Sequence, residues 1–112
     1  MFASHYKLDN LCAFLDFNGL QIDGTIYDVI GPAPFKEKFE AFGWNTIEID
    51  GHDFDAIRAA CAKAKELKGK PTIVIMKTIK GRGVSYMENQ VGWHGVAPKE
   101  EQYKLALAEL NA

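Results

Sequence analysis

Hydrophobic residues run almost without interruption through two short segments, residues 11–17 (LCAFLDF) and 71–76 (PTIVIM). Apolar runs of this length are typical of strands that are covered on both faces, as in a parallel sheet. Residues 45–49 (NTIEI) alternate between apolar and polar side chains. This alternation predicts a third strand that lies nearer an edge of the sheet.

Helical periodicity appears three times between and after these segments. A first helix presents Phe35, Phe39 and Phe42 on one face and ends at Gly43. A second runs from about residue 53 to residue 68, with Asp53 as its N-cap. Its apolar stripe consists of Phe54, Ile57, Ala60, Cys61, Ala64 and Leu67. The last helix runs from about residue 99 to residue 110, and its apolar positions are Tyr103, Leu107 and Leu110.

The resulting order, β-α-β-α-β-α, indicates an α/β fold with parallel strands and right-handed crossovers. Ligands of open parallel sheets bind beyond the carboxyl ends of the strands. Two connections leave those ends, residues 18–33 and residues 77–98. Connections in α/β units are usually about 2–6 residues long, and longer ones are often functional. These two loops are therefore where a site is expected.

The first loop begins with two turn dipeptides, Asn18-Gly19 and Asp23-Gly24. The residues between them are too few for a useful strand. Asn18 directly follows the predicted strand, so its side-chain oxygen and the Leu20 carbonyl form a partial site for a hard cation such as Mg²⁺. A satisfied Asx turn without a ligand explains the same residues.

The second loop contains Gly81 and Gly83 on either side of Arg82, preceded by Lys77 and Lys80. Glycines allow backbone N–H groups to approach an anion closely, and the cations add charge. A solvated basic turn is the alternative, because the sequence has neither GxGxxG nor a P-loop.

Three histidines are present. His94, between Trp93 and Gly95, either reaches a ligand as proton donor or acceptor, or is a structural histidine packed by Trp93. His52 is interpreted as a loop residue before the N-cap, and His5 as part of an N-terminal helix.

Composition narrows the classes of partner. With 112 residues and a net charge of −2, the chain is one domain or part of one, and neither nucleic acid nor an anionic membrane is expected as a partner. The cysteines, Cys12 and Cys61, have no metal or redox spacing, so buried free thiols and a cytoplasmic location are expected. The opening MFASHYKLDNL looks like the tail of an amphipathic helix, so Met1 is not expected to be the natural start of the folding unit.

Taken in order, the segments KLDNLCAFLDFNGLQIDG, FEAFGW, EIDGHD, KPTIVIMKTIKGRGVSYMEN and WHGVAP resemble the thiamine-diphosphate-binding domain of transketolases. The bacterial type made of two half-length subunits is the most similar. The resemblance implies a three-layer α-β-α fold with a parallel sheet, of which residues 1–112 form the C-terminal portion. It implies part of an enzyme that transfers a two-carbon ketol unit from a ketose phosphate to an aldose phosphate, in the pentose phosphate pathway.

The resemblance also implies roles for individual residues. The Asn18 side chain and the Leu20 carbonyl bind the divalent cation, Mg²⁺ or else Ca²⁺ or Mn²⁺, that holds the diphosphate of thiamine diphosphate. Ile22 packs against the thiazolium ring, and His94 is the catalytic residue that approaches the diphosphate and the sugar.

Three further residues are implied to bind the cofactor. Gly19 belongs to the cation-binding turn, while Lys80 and Gly81 border the pocket.

The aspartate of the family's upstream GDG motif and the glutamate that activates the cofactor's aminopyrimidine are absent from this sequence. The chain is therefore expected to be inactive alone and to need the complementary pyrimidine-binding half, in a homodimer or a heterotetramer of halves. A segment of a deoxyxylulose-phosphate synthase and a non-catalytic α/β fragment that folds against a partner remain alternatives.

Overall fold

A computed structural model describes all 112 residues. The strands are β1 (Cys12–Phe17), β2 (Leu20–Gln21), β3 (Gly24–Thr25), β4 (Asn45–Asp50) and β5 (Thr72–Lys77). The helices are α1 (Phe2–His5), α2 (Ile26–Val29), α3 (Phe35–Ala41), α4 (Phe54–Glu66) and α5 (Glu100–Leu110). A 3₁₀ turn covers Val91–Trp93. The chain folds into two compact units, which are described in turn.

The first unit comprises Met1–Phe17 and Pro32–Thr78 and contains a three-stranded parallel sheet in the order β1-β5-β4. The central strand β5 pairs through Phe17↔Lys77 on one side and Asp50↔Lys77 on the other, so all three strands end at the same edge. The residues from Pro71 to Ile75 are buried, and Val74 has no exposed surface. The predicted α/β class, the parallel strands and the edge position of β4 are confirmed.

Strand β1 does not have the coverage that its apolar sequence predicts. It forms the other edge of the sheet, and Phe14 is 49% exposed. The prediction that both faces of β1 are covered is therefore wrong for this chain, because the face that carries Phe14 is left half exposed.

Helix α4 follows its sequence signals closely. The Asp53 carboxylate accepts hydrogen bonds from the backbone N–H groups of Asp55 (2.8 Å) and Ala56 (3.1 Å), which confirms the predicted N-cap. Ala60 and Ala64 are buried, but Phe54 is 78% exposed and does not belong to the packed stripe. In α3, Phe35 contacts Phe17 and Phe39 contacts Trp44, whereas Phe42, the C-cap of this helix, is half exposed.

The second unit comprises Asn18–Gly31 and Ile79–Ala112. Strands β2 and β3 form a minimal antiparallel hairpin through the pairs Leu20↔Thr25 and Gln21↔Gly24. This corrects the expectation that the residues between the two turn dipeptides are too few for a strand. Helix α2 follows, with Thr25 as its N-cap, and buries Ile26. In α5 the predicted stripe of Tyr103, Leu107 and Leu110 is exposed, and Ala106 is the buried residue.

Both cysteines are free and half-buried. Burial raises the pKa of the Cys12 thiol, and the nearby Cys61 raises it further. None of the helices combines the length and the apolar character that crossing a bilayer requires.

Candidate functional site

The second unit contains an open cavity of about 410 Å³. It brings together side chains from both of the loops in which a site was expected. The lining residues are Asn18, Leu20, Gln21, Ile22, Asp23, Lys80, Val91 and His94. Five of these were candidates from the sequence, and they are separated by as many as 76 positions in the chain.

Asn18 is positioned by its own turn. Its Oδ1 atom accepts a hydrogen bond from the Leu20 backbone N–H at 2.9 Å. Gly19 has a φ of +76°, which favours glycine, and its carbonyl accepts from the Ile26 N–H at 3.0 Å. The Asx turn and the hairpin together hold the Asn18 amide at the cavity wall, while Gly19 itself does not line it.

The two neutral oxygens fit a partial cation site. A carbonyl-type oxygen has two lone pairs, so the hydrogen bond from Leu20 leaves Asn18 Oδ1 able to bind a cation. Mg²⁺ prefers oxygen ligands and takes several of them from phosphates and water. No cluster of three or more His, Cys, Asp or Glu side chains in the chain is arranged to hold a metal. Asn18 and Leu20 are thus compatible with a shared cation site and insufficient for a complete one.

The first loop also contributes an apolar side chain, Ile22, to the cavity wall. Ile22 is 65% exposed. The neighbouring Gln21 donates from Nε2 to the Ile30 carbonyl at 3.3 Å. Its amide is therefore engaged in holding the end of α2.

The second loop, residues 77–98, is held by hydrogen bonds between its own residues. The Lys80 carbonyl accepts from the Asn89 N–H at 3.0 Å, and the Gly83 N–H donates to Glu88 Oε1 at 2.9 Å. Gly81 has a φ of +71°, and a Cβ at this position would lie 2.6 Å from the Met87 carbonyl oxygen. Close packing against Met87 thus requires a glycine here. Lys80 lines the cavity and Gly81 does not.

His94 lies at the cavity with an exposed side chain, and its imidazole has no hydrogen-bond partner within the chain. Trp93 does not pack against it. The Trp93 ring instead lies 5.3 Å from the Tyr86 ring, and its Nε1–H donates to the Tyr86 carbonyl at 3.0 Å. His94 is therefore available to a ligand.

Gln21, Asp23 and Val91 line the cavity but were not candidates from the sequence. Asp23 was interpreted only as a turn residue, yet its carboxylate has no partner in the chain and shares the cavity with the Lys80 ammonium. Its place directly after Ile22 was the available signal. His52 and His5 belong to the first unit and do not line this cavity.

Comparisons with known proteins agree with this description. The family model for "Transketolase, thiamine diphosphate binding domain" matches residues 1–110. The chain is 43% identical over 111 residues to a 6-deoxy-6-sulfo-D-fructose transketolase subunit of Clostridium sp. strain MSTE9. It is 39% identical over 111 residues to an apulose-4-phosphate transketolase subunit of Phocaeicola vulgatus. Each alignment covers 99% of this chain and 40% of the relative, so the chain spans about two fifths of the length of these proteins.

A solved transketolase from Campylobacter jejuni has the same fold. It superimposes with a TM-score of 0.90 and 32% sequence identity, over 98% of this chain and 17% of that one.

Proposed function

The chain belongs to the transketolase family as part of its thiamine diphosphate-binding domain, and from this premise we propose that it supplies one wall of the cofactor site in a two-carbon ketol transfer. The observation that carries the proposal is the cavity of the second unit. Its lining includes Asn18, Leu20, Ile22, Lys80 and His94.

Each of these residues has a task that its chemistry supports. Asn18 Oδ1 and the Leu20 carbonyl hold Mg²⁺, or Ca²⁺ or Mn²⁺ in its place, because they are hard oxygen ligands. Lys80 adds positive charge next to the diphosphate, and Gly19 and Gly81 give the two loops the backbone turns that present these groups. Ile22 offers an apolar face to the thiazolium ring.

When bound, thiamine diphosphate acts as the electron sink for the two-carbon fragment, and the protein supplies orientation and proton transfers. His94 is the residue of this chain suited to the second task. An imidazole can donate a proton from one ring nitrogen and accept one at the other, and the His94 side chain has no competing hydrogen-bond partner here. We therefore assign it proton or hydrogen-bond exchange with the diphosphate and the sugar phosphate substrates.

The remaining active-site residues are proposed to come from polypeptide outside residues 1–112. The chain provides two neutral cation ligands and no carboxylate cluster, and it spans about two fifths of relatives that are named as subunits. We propose that residues 1–112 are the C-terminal portion of the diphosphate-binding domain and are inactive alone. A complementary pyrimidine-binding half completes the enzyme, as a homodimer or a heterotetramer. The free thiols of Cys12 and Cys61 support a reducing, cytoplasmic location.

The Clostridium and Phocaeicola relatives are both named as transketolase subunits, which favours transketolase over deoxyxylulose-phosphate synthase.

A chimera tests the proposal. Residues 1–112 replace the matching segment of the Clostridium protein, the product is assembled with that enzyme's complementary half, and thiamine diphosphate with Mg²⁺ is titrated by calorimetry. We expect binding by the chimera and no heat with the 112-residue chain alone. N18A lowers the affinity of the chimera at least about tenfold, whereas N18D, which keeps both the turn and an oxygen ligand, retains most of it.

N10A is the matched control, since Asn10 is an exposed asparagine of the first unit. A folded, assembled chimera that does not bind, or N18A with unchanged affinity, contradicts the proposal.

A further inference from the structure

The loop that carries His94 is tied to α5 at two points. The Ser85 N–H and Oγ–H both donate to the Glu109 carboxylate, at 2.6 Å each. One residue further, the Tyr86 hydroxyl donates to the Gln102 carbonyl at 2.7 Å. Gln102 lies in the first turn of α5 and Glu109 in its last, so the loop is attached near both ends of the helix.

Tyr86 passes this restraint on to Trp93. Its carbonyl accepts the Trp93 Nε1–H at 3.0 Å, and the two rings are in contact with their centroids 5.3 Å apart. The backbone then leads directly into His94, whose N–H donates to the Val91 carbonyl at 2.9 Å. A continuous set of contacts therefore runs from α5 through Tyr86 and Trp93 to His94.

His94 needs such a restraint because nothing else in the chain orients it. Its side chain is exposed and its imidazole has no hydrogen-bond partner. Where a catalytic side chain lacks a hydrogen-bonded orienter, its position depends on the backbone that carries it. Misplacement of a reacting group by about 1 Å is enough to lower a rate substantially.

We infer that Tyr86 is a positioning residue for His94 and acts through Trp93. The inference rests on the proposed role of His94 at the cofactor. The Tyr86 side chain makes two contacts: its hydroxyl donates to α5, and its ring packs against the Trp93 ring. Its backbone carbonyl also accepts from the Trp93 indole N–H. Phenylalanine would retain the ring contact and lose the link to the helix.

Hydrogen exchange measured by NMR on the full chain tests the restraint itself. In Y86F we expect amide exchange in residues 91–95 to accelerate about threefold to tenfold, the effect of losing one hydrogen bond. The Trp93 indole N–H should accelerate likewise, while the Trp44 indole, for which no hydrogen bond is found, serves as the internal reference.

Y103F is the matched control, because Tyr103 is exposed and its hydroxyl makes no hydrogen bond. The amides of β5 belong to the other unit and report overall stability. Unchanged exchange in residues 91–95 of Y86F, or equal acceleration in β5, overturns the inference.

A double-mutant cycle in the chimera tests whether Tyr86 acts through His94. We expect H94Q and Y86F each to raise the dissociation constant of thiamine diphosphate, Y86F by about threefold to tenfold. The double variant should resemble H94Q alone. If the two effects add, Tyr86 does not position His94 and the inference fails while the proposed function stands. If H94Q alone has no effect on binding, the proposed role of His94 fails instead.

Discussion

At the level of single residues, Asn18 shows that two interpretations of one turn are compatible. The sequence allowed either an Asx turn or a cation ligand, and the turn is present, with Oδ1 accepting from the Leu20 N–H at 2.9 Å. That hydrogen bond fixes the amide and leaves one lone pair for a ligand. A preoriented oxygen binds a cation with less loss of side-chain entropy than a free one. The turn therefore supports the proposed cation site.

Glu109 gives a prediction about pH. Hydrogen bonds from the Ser85 hydroxyl and N–H hold the pKa of its carboxyl below the ordinary value of 4.5. A carboxylate with a lowered folded-state pKa stabilises the protein above its unfolded-state pKa, and this contribution is lost as the pH falls through the folded-state value. We expect E109Q to be less stable than the parent chain at pH 7, with the difference shrinking below about pH 4.5.

Denaturant unfolding between pH 3 and pH 7 measures this difference. E101Q is the control on the same helix, because no hydrogen bond or ion pair of Glu101 is found. A constant difference between E109Q and the parent chain across this range would show that the carboxylate does not hold Ser85 through its charge.

At the level of helices and strands, the features predicted correctly depend on neighbouring residues in the sequence. The N-cap of α4 is an example, since Asp53 is followed within three positions by the N–H groups that it accepts from. The parallel direction of the three main strands likewise follows from β-α-β spacing. Features that depend on distant neighbours were missed. Phe14, Phe54 and Tyr103 have apolar periodicity, and all three are exposed because nothing in the chain covers them.

The short elements were missed for another reason. Strands β2 and β3 are two residues each, and α2 is a single turn. All three are too short to show a hydrophobic periodicity in the sequence. The cavity residues Gln21 and Asp23 belong to this hairpin or its turn. Asn18, Leu20, Lys80 and His94 were identified from their chemistry and Ile22 from the family resemblance, whereas Gln21 and Asp23 had been assigned to the turn alone.

The Asp53 cap predicts a defined loss of stability. D53A leaves the Asp55 and Ala56 N–H groups without their acceptor, and we expect the free energy of unfolding to fall by about 1 kcal/mol. D53N and D53S, which keep a capping oxygen, should restore most of it. Chemical denaturation measures all three variants, and equal stability of D53A and D53N would show that the cap contributes nothing.

At the level of the whole molecule, the most unusual surface lies along the outer edge of β1. This strand has unpaired backbone groups on one side, and a groove of about 330 Å³ lies between it and α4. The groove walls are Leu11, Cys12, Phe14, Cys61 and Ala64, with Lys65, Lys68, Asp9 and Asn10 around them. An exposed apolar strand edge is a template for pairing with another polypeptide. The chain therefore exposes a surface of the kind that is buried when a partner adds to a sheet.

The isolated chain is consequently expected to associate with itself through β1 as its concentration rises. Placing a lysine on an edge strand opposes such pairing, because its charge must be desolvated in the contact. F14K should shift the chain toward monomer in sedimentation velocity between about 10 and 200 µM, a range in which weak contacts dissociate. F54K is the matched control, since Phe54 is even more exposed, at 78%, but lies on α4 away from the strand edge. If F54K dissociates the chain as well as F14K does, general surface hydrophobicity and not the β1 edge drives the association. If the parent chain is monomeric at every concentration, the β1 edge is protected without a partner.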